Sequence, residues 1–277
     1  MRRASSWSLL ALLLAPGLAA AQGQNHLYDK LQLAGSGTLL IYSTTIRIDP
    51  EGGGEGTTID AEEVLGLEKT NFQPRGAGRF RMGRRHELEL GFQWADRSAE
   101  KVLTETITIG DSTFDAGLTV NSTLNTSQAF LNYRFAFTAK ENTMIGFTVG
   151  LGPIFLEERI SARAEVVGGP SVERSQGESL VGPTASLGLF GRFRLGEKWY
   201  LEADARGLYV KVSNIKAEVY ELGAAVRYFF SDSFGGELGY NLGSYAVTLS
   251  RDGDLIDLSG RVKYTAQGIR AGIVFVP

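Results

Sequence analysis

Two histidines, His26 and His86, are the only imidazoles in the chain, so general-base chemistry near neutral pH has few places to start. His26 sits in a polar stretch near the N-terminus and His86 directly after a glycine-centred turn, so both map to one end of the fold, and His86 reads as a turn or interface residue. Carboxylates gather at Glu51, Glu55, Asp60, Glu62 and Glu63, and again at Asp111 and Asp115. Neither group has EF-hand spacing or a histidine partner, so the reading is a solvated acidic loop, with a weak oxygen-ligand site for Ca²⁺ or Mg²⁺ as the alternative. Gly52-Gly53-Gly54 precedes no helix and lacks the Lys and Ser/Thr of a phosphate-binding loop. No cysteine is present, which excludes disulfides, thiolate metal sites and a cysteine nucleophile.

One constellation has substance. Arg75, Arg79, Arg81, Arg134, Arg192, Arg194, Arg206, Arg227 and Arg270 fall on the same alternation phase as Glu87, Glu89, Glu202, Asp204, Glu221 and Glu237. Such a ladder is either an interlocked set of ion pairs or the lining of a narrow, anion-favouring path.

The elements that carry the ladder are strands. The chain has 277 residues with 35 Gly, 7 Pro, 43% hydrophobic and 21% charged residues. That composition points away from disorder and towards a β-rich fold. Trp199, Leu201, Ala203, Ala205, Gly207 and Tyr209 share one face of a strand, opposed by Tyr200, Glu202, Asp204 and Arg206. The same period recurs from Tyr220 to Phe230, from Phe234 to Gly243 and from Glu87 to Trp94. Ten such segments centre near residues 43, 77, 91, 131, 151, 187, 205, 224, 242 and 268. Short turns at Gly83 to Arg85, Ala139 to Thr143, Gly196 to Lys198 and Ser231 to Ser233 alternate with longer connections at Pro50 to Asn71, Arg97 to Thr123 and Glu165 to Glu178. Within the second of these, Thr104 to Ile109 and Thr113 to Val120 read as a protruding hairpin around Gly110-Asp111.

An even number of antiparallel strands, tight at one end and elaborate at the other, is the layout of an outer-membrane barrel. Aromatic residues collect near the tight end, at Phe80, Trp94, Phe135, Phe137, Phe147, Phe193, Trp199, Tyr228, Phe230, Phe234 and Phe275, as an interfacial girdle requires. With lipid outside, the Arg and acid ladder faces the lumen; the reverse register sets each midplane Arg in lipid at about 2 to 4 kcal/mol. A barrel of about eight strands is filled by its own side chains, whereas open aqueous channels are typical of 16 to 18, so ten strands favour the ion-pair plug.

The first residues read as a secretory signal: Arg2 and Arg3, the apolar run Trp7 to Leu14, then Ala19-Ala20-Ala21 as a cleavage site. Domains are therefore a signal peptide over 1–21, a periplasmic N-terminal tail over 22–35 and the barrel over 36–277. Cleavage removes two arginines and no acid, taking the net charge from −3 to −5 and arguing against nucleic acid as a partner.

Gly56-Thr57-Thr58-Ile59-Asp60 with Leu65-Gly66-Leu67, Phe80-Arg81 through Gly83-Arg84-Arg85-His86-Glu87-Leu88 with Leu90-Gly91, and Ile109-Gly110-Asp111 with Phe114 and Ala116-Gly117 resemble a family of uncharacterised bacterial outer-membrane β-barrel proteins, small barrels of porin-like or OmpA-like design. The resemblance covers residues 38 to 137 by motif and implies the fold and the outer membrane of a Gram-negative cell, without a chemistry. The expectation is an all-β, ten-stranded antiparallel transmembrane β-barrel with long extracellular loops. Its role is expected to be non-enzymatic, structural or surface-interacting, with no cofactor and no metal. The alternatives are a narrow porin-like channel for small solutes, anionic ones included, and, more remotely, an outer-leaflet lipid-modifying enzyme. Expected partners are outer-membrane lipid and lipopolysaccharide, and the outer-membrane assembly machinery. Phe275, in phase with Ile269, Ala271 and Ile273, is the expected assembly signal, and deleting Val276-Pro277 behind it is expected to leave outer-membrane levels unchanged.

Overall fold

A computed structural model describes residues 24–50, 55–109, 111–164, 172–213, 215–250 and 259–277. The signal peptide and its cleavage site, Glu51 to Gly54, Gly110 and the 165–171 connection lie outside the described residues. The strands are β1 (Leu31–Ile48), β2 (Ile59–Asp60), β3 (Thr70–Met82), β4 (His86–Val102), β5 (Ile107–Ile109), β6 (Ser112–Phe114), β7 (Thr119–Lys140), β8 (Thr143–Ala164), β9 (Val172–Arg194), β10 (Trp199–Val212), β11 (Ile215–Phe229), β12 (Phe234–Leu249) and β13 (Gly260–Phe275). Ten of them, all but β2, β5 and β6, pair antiparallel in chain order, and β13 returns to β1 to close the barrel. The closing seam runs from Leu33 opposite Phe275 to Ile48 opposite Gly260. Closure leaves no sheet edge at the membrane-crossing level, which a lipid environment demands because it offers no hydrogen bonds to an unpaired strand.

The wall is uneven in height. β9 pairs with β10 only as far up as Leu187 opposite Gly207, and β3 with β4 only as far as Arg75 opposite Gln93. Above those points β4, β7, β8 and β9 continue alone as a four-stranded wing. Pro183 of β9 lacks an amide hydrogen to offer a neighbour, in keeping with an edge position. On the low side β10 ends at Val212 and β11 begins at Ile215, with Ser213 at φ 51°, so the loop end is not elaborate all round.

Alternation sorts the side chains. Outward stand Leu90, Leu238 and Ile269, which are 65%, 62% and 60% exposed, with Leu39, Leu131, Leu151, Leu189, Leu222 and Ile273 among others. Such a continuous apolar belt has no stable place in water. Phe80, Phe137, Phe147, Trp199, Tyr228, Phe230 and Phe234 ring its tight-turn end on the outward face. Trp94, expected in the same girdle, stands towards the loop end of β4 against Phe92, with ring centroids 5.6 Å apart. Together with Phe72, Tyr209, Tyr220 and Tyr240 it forms a second band, as a belt bounded by two interfaces requires.

Both mouths are stoppered. At the tight-turn end the segment before β1 is not a free tail: the strand opens at Leu31 rather than 36, and residues 24–30 fold into the mouth. The His26 ring stacks on Phe229 with centroids 3.6 Å apart, and its Nδ1 lies 2.9 Å from Asp29. Leu27 packs with Tyr200, Phe229, Val274 and Val276. The chain's end is part of this stopper, since the Val276 amide donates to the Ser233 carbonyl at 2.8 Å and its side chain is buried. Burying one Val contributes about 1.5 to 3 kcal/mol. Deleting Val276 and Pro277 is therefore expected to lower the temperature of heat modification, whereas deleting Pro277 alone leaves it unchanged. Gels run on both truncations check this.

At the other end the two long connections fold together. Ile59, Ala61, Leu65 and Leu67 from the first, and Leu103, Ile107, Ile109 and Phe114 from the second, pack on Ile46, Ile48, Val120 and Leu124 from the strand ends. The β5–β6 hairpin thus does not protrude: Ile107, Ile109 and Phe114 are fully buried in this apolar lid.

Candidate functional site

Inside the wall, the charge ladder condenses into one layer above the N-terminal stopper. Register alone sets Arg79 opposite Glu89, Arg81 opposite Glu87, Glu87 opposite Arg134, Glu202 opposite Arg192 and Arg227 opposite Glu237. Cross-lumen contacts then knit these pairs together. Glu202 accepts from Arg79 at 2.7 Å, Arg192 at 2.8 Å and Arg134 at 3.4 Å, and pairs with Arg227 at 2.9 Å. Glu87 is held by Arg81 at 2.7 Å, by Arg79 at 3.2 Å and by both terminal nitrogens of Arg192. Glu89 meets Arg75 and Arg134 at 2.7 Å each, and Glu237 meets Arg227 at 2.9 Å and Arg270 at 3.1 Å. Seven arginines thus surround four glutamates, most of them buried.

A second knot lies higher. Arg206 reaches Asp204 at 3.2 Å and Glu221 at 3.1 Å. Of the ladder residues, Arg194 alone joins neither group; it sits at the rim beside the turn and donates to the Gly196 carbonyl at 3.1 Å. Phe275 faces outward and packs on Phe234, with ring centroids 4.9 Å apart.

Several members carried no charge pattern and so escaped the sequence. Gln32 Oε1 accepts from Arg79 and Arg227 at 3.3 Å each, while its Nε2 donates to the His26 carbonyl and to Asp29 at 2.9 Å each, tying the ion layer to the stopper. Tyr245 donates to Glu221 at 2.5 Å and stacks on Tyr264. Gly91 makes room for the Phe130 ring, where a Cβ would come within 2.4 Å, and Arg75 lies over that ring at 4.7 Å. Under the lid, Arg97 pairs with Glu62, donates to Thr44 at 3.0 Å and lies 4.4 Å over the Tyr42 ring. Glu62, read as a solvated loop acid, is thereby a lumen anchor for the lid. Asp60 caps its own turn, accepting from the Glu63 amide at 2.8 Å.

Between ion layer and lid remains a chamber of about 160 Å³, edged by Arg75, Arg206, Gln73, Gln93, Gln128 and Asn241. Neither histidine reaches it: His86 points outward at the tight-turn end, with Nδ1 2.6 Å from the Tyr133 hydroxyl.

No family model matches the chain, and no curated protein matches it. Among solved structures, the outer-membrane protease OmpT of Escherichia coli aligns over 90% of this chain and 97% of its own, with a TM-score of 0.56 at 12% identity. The chain has the fold of the outer-membrane β-barrels. At that identity the likeness is one of fold alone. The attachment invasion locus protein Ail of Yersinia pestis (13% identity, 87% of this chain and 99% of its own, TM-score 0.29) and the toluene transporter TodX of Pseudomonas putida (9%, 88% and 89%, 0.31) also align. The lumen of this barrel is occupied at three levels, by stopper, ion layer and lid.

Proposed function

We propose that the protein is a closed, non-conducting barrel of the outer membrane that acts through its ordered outer surface, as a structural or surface-contact protein. The observation that carries this reading is the double closure: an ion layer backed by residues 24–30 at one mouth, and an apolar lid built from both long connections at the other. A lid with a fully buried Phe114 obstructs a conducting path, while a contact surface gains from loops held on a rigid scaffold. The hydrolytic role named for OmpT finds little support, because both histidines lie at the tight-turn end, away from the surface where an extracellular substrate arrives. On this reading lipid and lipopolysaccharide surround the belt, and the assembly machinery receives the chain through the strand ending in Phe275.

The polar chamber favours the second reading, a narrow channel whose lid and ion layer open. Purified protein in planar bilayers separates the two. The expected trace is flat up to the voltages at which the membrane itself breaks; steady anion-selective openings would overturn the closed reading.

A further inference from the structure

The outward face of the low wall carries a row of cations. Strand register places Lys211 of β10 opposite Lys216 of β11, Lys216 opposite Thr248 of β12, Thr248 opposite Arg261 of β13 and Arg261 opposite Arg47 of β1. All five positions lie in the outward phase, because β1 buries Ile46 and Ile48 on either side of Arg47 and β11 keeps Tyr220, Leu222 and Tyr228 on the same face as Lys216. The next row towards the membrane adds Lys263, opposite Ala246 on one side and Thr45 on the other. Strands stand about 4.8 Å apart, so the row spans roughly 19 Å of continuous surface.

Two features fix its depth. It lies on the loop side of the aromatic band, whose Tyr209 ring is 5.4 Å below the Lys216 ammonium. That is the level at which aromatic girdles give way to headgroups. The charge is also segregated around the barrel. At the corresponding outward positions of the tall wing stand Asp96, Asn125 and Glu157 in one row and Glu100 with Asn121 in another, and the wing's Arg159 faces Glu157 at 4.0 Å. Within the cationic sector, among the described residues, Glu218 pairs with Lys216 at 2.8 Å, and Asp49 at 3.1 Å and Glu55 at 3.5 Å pair with Arg47. Lys211, Arg261 and Lys263 are exposed.

We propose that this row, Lys211, Lys216, Arg261 and Lys263 with Arg47 at its end, is a binding site for a phosphate-bearing glycolipid of the outer leaflet. The inference rests on the reading that the barrel spans the outer membrane. Cations just above an aromatic girdle meet lipid phosphates with their hydrocarbon stems along the tyrosines and their charged ends at headgroup height. The low wall suits this because β10 ends at Val212 and β11 begins at Ile215, so their connection is short, whereas the wing rises far above the belt on the other side. The glycolipid's acyl chains then lie along Leu222, Leu238 and Ile269 while its phosphates bridge strands of the closing seam.

The test is a titration of the detergent-purified barrel with bisphosphorylated lipid A, read by native mass spectrometry. Wild type is expected to bind it, and to bind the same lipid stripped of both phosphates at least about tenfold more weakly. Lys216→Gln with Arg261→Gln and Lys263→Gln is expected to lose about tenfold to a hundredfold of the affinity, each cation near a charged surface counting separately. Lys211→Gln with Lys263→Gln gives a smaller loss, and Arg159→Gln on the wing gives none. Equal binding by wild type and both cation variants overturns the site, as does equal binding of the dephosphorylated lipid. Competition by millimolar pyrophosphate to the same extent as by lipid makes it a free-phosphate site and overturns the lipid assignment. Heat modification of every variant is recorded alongside: an intact shift with unchanged lipid binding sinks the site but leaves the barrel, whereas a wild type without any shift sinks the barrel reading itself.

Discussion

Glu202→Gln is expected to destabilise the barrel more than any other single lumen substitution. Four guanidiniums converge on that carboxylate, at 2.7 Å for Arg79, 2.8 Å for Arg192, 2.9 Å for Arg227 and 3.4 Å for Arg134. Removing its charge leaves them facing one another in a poorly solvated interior, a loss of about 3 to 5 kcal/mol for a broken buried pair. Arg270→Gln removes a contact to Glu237 alone among the ladder acids and should cost clearly less. The comparison is read as the temperature at which the compact band converts to the extended one. Equal temperatures for both variants and wild type would mean that the layer is well hydrated and its charges individually solvated, which is the condition of a water-lined path.

Phe114→Ala is expected to release the lid without releasing the barrel. Phe114 is fully buried among Ile59, Leu65, Ile107 and Ile109, and truncating such a ring costs about 3 to 5 kcal/mol. That loss falls on a small unit with its own core, held to the wall by the strand ends, by the pairing of β2 with β1 and by Arg97 and Lys101, which reach Glu62 and the Glu63 carbonyl. Protease added to intact cells should cut the variant between residues 55 and 69 or between 103 and 118, leave wild type whole, and leave the heat shift of the strands nearly in place. Conductance should stay flat, because the ion layer below still fills the lumen. Cleavage of wild type at the same rate would show that the lid is no closed unit.

The parts legible in the sequence are those governed by strict alternation. A period of two assigns each residue of a crossing strand to lipid or lumen, so the ten strands and the inward phase of Arg79, Glu87, Arg134, Glu202 and Arg227 follow from spacing. Cross-strand pairs such as Arg206 with Glu221 come from register once turn lengths are known. Contacts across the lumen do not: Arg79 to Glu202 joins residues 123 apart, and nothing local encodes it. Arg194 shows the converse limit, since phase alone cannot tell a lumen residue from one at the rim. The lid was illegible for a different reason. Ile107, Ile109 and Phe114 alternate like an exposed hairpin, and only the apolar positions Ile59, Leu65 and Leu67 in the other connection give their buried face a partner. Likewise the polar look of Gln24 to Gln32 hid a stopper, because its polar groups bond to one another and to the ion layer rather than to water.

The meeting of the two chain ends bears on the order of assembly. Leu27, before the first strand, packs against Val274 and Val276, in and just after the last, and β1 has no second full-length neighbour until β13 arrives. Closing so long a loop is entropically unfavourable and slow compared with zipping adjacent hairpins. The seam and the stopper therefore form together and last, so a chain truncated anywhere before its final strand carries an open edge and an unplugged mouth at once. One late registration event thereby both seals the wall and stoppers the mouth.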